Sequence, residues 1–217
     1  MKHIAIFLYF LSLNPVWAQK SIDFKDFIPS RFVLYDNISG DLNQDGLEDI
    51  VLIIKDTQEG SVTKNRFGEM VDRNRRGIVI LFQTENGFKQ MILNKRCFES
   101  ENEDGGAYYP PELDVSIDHN KLFINYNHGR YGSWYYTFRY QNNDFVLIGY
   151  DHTDRSGPII NSEISINFLT KKKKELLNMK SNIEDSGEEE FKEFWSEIKD
   201  KELIKLSEIN EFYDLYF

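Results

Sequence analysis

Two aliphatic runs set the expectation for the chain. Ile50-Val51-Leu52-Ile53-Ile54 and Ile78-Val79-Ile80-Leu81-Phe82 are unbroken and of strand length. A half-exposed strand alternates apolar with polar residues, so an unbroken run predicts a strand covered on both faces. Alternation does appear later. Trp134, Tyr136, Phe138 and Tyr140 share one side of an expected strand, and Tyr135, Thr137 and Arg139 share the other, because successive side chains point to opposite faces. Further strands are expected over 31–35, 88–93, 113–117, 121–127, 145–150 and 163–170. Asn86-Gly87 is the favoured pair for a tight hairpin turn. Residues 19–30 look like an extended lead-in, and Thr57 to Arg76 looks like a long polar loop without useful periodicity.

Toward the C-terminus the spacing changes. Phe191, Phe194, Trp195 and Ile198 recur at helical intervals, with Glu188-Glu189-Glu190 at the start, where acids suit the helix dipole. This predicts a helix over 189–201, with a twisted edge strand as the alternative. The expected fold is mainly β: an antiparallel meander of about ten strands, sandwich or propeller-like, with a short C-terminal helix. One β-rich domain over 19–217 is expected, ending in a helical or extended appendage from about residue 186.

Specific chemistry concentrates just before the first aliphatic run. Asp41, Asn43, Asp45 and Asp49 place oxygen donors around a tight bend, Gly46 supplies the bend, and Leu47 can offer its backbone carbonyl. Calcium takes six to eight oxygens at roughly 2.3–2.6 Å in a forgiving geometry. Alternate donors on a short loop converge on one centre. An EF-hand is excluded, because its twelfth position, which should be Glu, is Leu52, and a strand rather than a helix follows. The plain alternative is a polar turn held by Asx hydrogen bonds. The pattern D-x-N-x-D-G-x-x-D followed by a strand resembles the calcium loop of FG-GAP and VCBS-type repeats. That resemblance covers about twenty residues and one copy of the unit. It implies ligand roles for Asp41, Asn43, Asp45, the Leu47 carbonyl and Asp49, and a structural calcium ion.

The first eighteen residues read as a secretory leader. Lys2 and His3 precede a short apolar stretch from Ile4 to Leu13, and Val16-Trp17-Ala18 has the form of a cleavage site. The stretch is too short to span a bilayer. A soluble, secreted or periplasmic bacterial protein is therefore expected, without a membrane anchor and monomeric. Cys97 is the only cysteine, so an internal disulfide is excluded and an ordinary core thiol is expected. The formal net charge of −10 gives no electrostatic footprint for nucleic acid.

Three other stretches are candidates for function. Arg73, Arg75 and Arg76 crowd one turn, where three guanidiniums can clamp a planar anion. Residues 98–111 combine Glu99, Glu101, Glu103 and Asp104 with Tyr108, Tyr109 and two prolines; a solvated loop, a second metal site or an acid/base pair are the readings. His128, Arg130, Tyr131 and Trp134 cluster beside glycines at a strand end, a place suited to stacking on a sugar or gripping a peptide. The leading expectation is a calcium-stabilised exported β protein that binds a protein or glycan ligand. The alternatives are a hydrolase acting on polysaccharide or peptide, and an inhibitor of a cationic secreted enzyme.

Overall fold

A computed structural model describes residues 24–105, 109–180, 187–199, 202–215 and 217. The expected leader and its cleavage site lie outside them. Two antiparallel sheets share one core. The first sheet is formed by β1 (Phe32–Gly40), β2 (Asp49–Asp56), β5 (Arg76–Thr84) and β6 (Gly87–Phe98), in that order. Between β2 and β5 the chain leaves as a small ribbon, β3 (Val62–Lys64) paired with β4 (Met70–Asp72). The stretch expected as an unstructured loop therefore contains a hairpin. Its register is held by the buried Asn74, which accepts the Gln58 amide and donates to the Gln58 carbonyl and the Asp72 carboxylate.

The second sheet is a pure meander. It comprises β7 (Glu112–Asp118), β8 (Lys121–Asn127), β9 (Gly132–Gln141), β10 (Asp144–Ser156), β11 (Ile159–Asn167), β12 (Lys172–Asn178) and β13 (Phe191–Glu197), each paired with the next. Thirteen strands thus stand among the described residues where about ten were expected, because β3 and β4 lack a hydrophobic pattern and β12 and β13 are masked by charge. Both sheets are open, and they pack as two layers.

The aliphatic runs behave as their pattern demands. Val51, Ile53, Ile78 and Ile80 face the second sheet and meet Leu122, Ile124, Tyr136 and Phe138. Ile50, Leu52, Ile54, Val79 and Leu81 point the other way into a smaller cluster covered by Phe24, Phe27 and Ile28. That cover is a 3₁₀ turn over Phe24–Phe27 rather than an extended lead-in. Tyr136 and Phe138 of β9 are buried, and Trp134 and Tyr140 pack against the same core.

The helix expected over 189–201 is replaced by β13. Its residues pair with β12 in register, Lys174 opposite Trp195 and Leu176 opposite Glu193. Lys174 binds the Glu193 carboxylate at 3.1 Å. The basic stretch Lys171 to Lys174 thus finds an acidic, aromatic strand beside it, and that pairing overrides helical spacing. The chain then returns to the core. Ile204 accepts the Leu147 amide (2.8 Å), and Leu206, Ile209 and Phe212 are buried. The only helical structure after residue 202 among the described residues is two single 3₁₀ turns, Leu206–Glu208 and Phe212–Asp214.

Candidate functional site

The loop between β1 and β2 closes their hairpin, whose last pair is Gly40 opposite Asp49. Two residues carry positive φ, Gln44 at 68° and Gly46 at 83°; at Gly46 no Cβ opposes that conformation. Leu42 is 1% exposed and fixes the loop in the shared core. From the second sheet, Asn120 in the β7–β8 turn donates its side-chain amide to the Asp41 carbonyl at 2.9 Å. The loop is therefore tied to both layers.

Its oxygens face inward onto backbone amides. The Asp41 carboxylate accepts Gln44 N at 2.7 Å and Gly46 N at 3.0 Å. The Asn43 Oδ1 accepts Asp45 N at 2.9 Å, and its Nδ2 donates to Asp45 Oδ2 at 2.9 Å. Asp45 Oδ1 accepts Leu47 N at 2.8 Å. Asp49 is 0% exposed and accepts Leu42 N at 2.9 Å and Gln83 N at 3.1 Å. Burial pushes the Asp49 carboxyl above its ordinary value; the two amides pull it down, and the nearby charges of Asp45 and Asp41 push it further up. None of the three aspartates forms an ion pair among the described residues. Nor do three His, Cys, Asp or Glu side chains there form a ready-made metal cluster.

These contacts are those of an Asx-stabilised turn. They are also compatible with a cation, because a carboxylate has about four lone-pair sites and two amide bonds leave two of them. Three carboxylates, an amide oxygen and the Leu47 carbonyl are hard donors of the type calcium takes. In the chemistry of its donors, though not as a gathered cluster, the set suits that ion.

The second candidate cluster separates into two parts. His128 and Tyr131 meet with ring centroids 4.7 Å apart, and His128 Nε2 lies 2.8 Å from the Tyr109 carbonyl. Trp134 instead turns inward, stacked on Tyr126 at 5.7 Å and edge-on to Tyr213 at 5.6 Å. Arg130 takes part through its carbonyl, which accepts the Gly157 amide. The exposed platform at this end is thus Tyr109, His128 and Tyr131.

The basic turn and the acidic loop neutralise each other. Arg73 pairs with Asp104 at 2.6 Å and approaches Glu103 at 3.8 Å. Lys55 bridges Glu101 (2.5 Å) and Asp72 (2.8 Å). Arg75 donates to the Arg96 carbonyl and pairs with Glu211 at 3.3 Å. Arg76 runs inward, and its Nε donates to the Glu99 carbonyl at 2.9 Å. The three arginines do not converge as an anion clamp. Glu99 makes a carboxyl–carboxyl contact with Glu211; burial first, then that contact and the charges of Glu211 and Glu103, drive it up to about 7, with Arg75 opposing. The Cys97 thiol is fully buried and pushed up by burial, which leaves it inert.

Several of these partners carry no local signal. Gln83, Asn120, Lys55 and Glu211 act on residues far away in the chain, so spacing arguments pass over them. No protein-family model, no curated protein and no solved structure matches this chain.

Proposed function

We propose that this chain is an exported β protein whose β1–β2 loop holds one structural calcium ion, and that it acts by binding a protein or glycan ligand. The observation that carries the reading is Asp49. A fully buried carboxylate feels the charges of Asp45 and Asp41, and no side-chain cation among the described residues pairs with any of them. A divalent ion compensates for that repulsion and stiffens a loop that joins the two sheets. The leader-like residues 1–18 support export. Extracellular calcium is abundant enough to load a site of millimolar affinity.

Neither alternative draws comparable support. Glycoside hydrolysis needs two carboxyls roughly 5–9.5 Å apart, whereas Glu99 and Glu211 are in direct contact and Glu101 and Asp104 are held by Lys55 and Arg73. Inhibition of a cationic enzyme needs a free acidic surface, and the acidic loop is paired internally. Thermal melting in calcium and in chelator, with Asp45→Ala beside the wild type, tests the proposal. Loading at ten- to hundredfold excess over Kd stabilises by about 1–3 kcal/mol. A wild-type melt that ignores calcium rejects it.

A further inference from the structure

Arg76 ends in an unusual place. The residue is 4% exposed, yet it lines an open recess of about 400 Å³ together with Tyr35, Glu101, Tyr109, Pro110 and Glu112. The β5–β6 bulge puts it there. Arg76 pairs with Phe98 while Ile78 pairs with Asn94, so the strand shifts register around Gly77. Only glycine fits at that step, since a Cβ would stand 2.4 Å from the Asn94 carbonyl oxygen. The Nε of Arg76 is satisfied by the Glu99 carbonyl. Its two terminal nitrogens have no hydrogen-bond partner among the described residues, and the nearest carboxylate, Glu101, is 3.9 Å from Nε. The Tyr35 ring lies under the guanidinium, 5.2 Å from its carbon to the ring centroid.

A second orphan lies beside it. Glu101 Oε1 is held by Lys55, but Oε2 is buried without a hydrogen-bond partner. The recess presents the two terminal nitrogens of Arg76 under aromatic and proline walls, while Glu101 Oε2 is closed off from it. The Arg76 nitrogens are not sealed from solvent, so a bound acceptor can take the place of water on them. A carboxylate matches the planar fork of Arg76. Tyr109 is exposed and offers a flat face for the C–H side of a ring. The volume lies in the range of small-ligand sites.

We propose that this recess binds a carboxylate carried on a sugar-sized ring, the chemistry of a uronic acid unit, with Arg76 on the carboxylate and Tyr109 against the ring. Tyr109 also packs edge-on against His128. This assignment gives the binding reading its ligand class and rests on that reading, but not on the calcium loop.

The test is titration of the full chain by heteronuclear NMR with sodium glucuronate, methyl β-D-glucuronide, glucose and acetate, each in calcium and in chelator. Saturable binding of either glucuronate form is expected, with glucose and acetate weaker by about tenfold or more. Tyr109→Ala, an exposed wall position that leaves folding intact, is expected to weaken binding about fivefold or more, and Arg76→Lys to weaken it further. No saturation by either uronate, acetate binding as tightly as uronate, or full affinity in Tyr109→Ala would each overturn the proposal. Binding in chelator that matches binding in calcium keeps the recess standing even if the calcium loop fails.

Discussion

The Asp49 carboxylate accepts the backbone amide of Gln83 at 3.1 Å, across 34 positions of sequence. Its other oxygen takes the Leu42 amide at 2.9 Å. One side chain therefore closes the candidate metal loop and joins it to β5. Asp49→Ala strands one buried and one partly buried N–H group, each costing up to about 1–3 kcal/mol. A loss of about 2–4 kcal/mol is expected in urea unfolding measured in chelator, where calcium plays no part. A loss under about 0.5 kcal/mol would mean that these amides find other partners.

Glu99 makes stability depend on pH. Its carboxyl is raised to about 7 by burial and by Glu211, so the folded chain holds that proton more tightly than the unfolded one. The resulting stabilisation is complete below the unfolded value, near 4.3, and is lost as pH rises through about 7. Solvent screening at this half-buried pair limits the effect to about 1–2 kcal/mol. Denaturant midpoints are expected to fall between pH 5 and pH 8, and Glu99→Gln is expected to flatten that fall. An unchanged slope in the variant would assign the pH dependence elsewhere.

Phe212 tests whether the C-terminal segment belongs to the core. It is 1% exposed, stacks on Phe98 at 5.4 Å and lies 4.8 Å from Tyr136. The Tyr136 hydroxyl donates to its carbonyl, and Asn94 donates to the Leu206 and Ile209 carbonyls. Phe212→Ala is expected to cost about 3–5 kcal/mol in equilibrium unfolding. A cost below about 1 kcal/mol would show the segment to be a loose strap.

The sheets were legible wherever one strand's own pattern decides its burial. The runs at 50–54 and 78–82 announce double coverage, and the β9 alternation names its inner face. Legibility failed where a neighbour decides. Phe191 to Ile198 carries helical spacing, and only the lysines of β12 beside it make a strand. Arg73 and Asp104 each read as free charge until folding joins them. Trp134 shares a turn with His128 and Tyr131, yet strand alternation sends it to the opposite side. The Arg76 recess depends on a bulge that a Gly after an Arg does not announce. The polar turn was visible because its Asx residues are sequential, but its anchors, Gln83 and Asn120, come from other hairpins.

For the proposed calcium site, Asp49 predicts an affinity that depends on pH. Its raised carboxyl means that proton and cation compete for the same oxygens, so affinity is expected to weaken as pH falls from 7.5 to 5. Equal affinity at both values would remove Asp49 from the site.

Isothermal calorimetry of the folded chain with calcium is the most direct trial of the central claim. One saturable site is expected, and it is expected to vanish in Asp45→Ala while that variant keeps its fold by circular dichroism. A wild-type titration without heat, together with a melting temperature indifferent to calcium and chelator, would contradict the account.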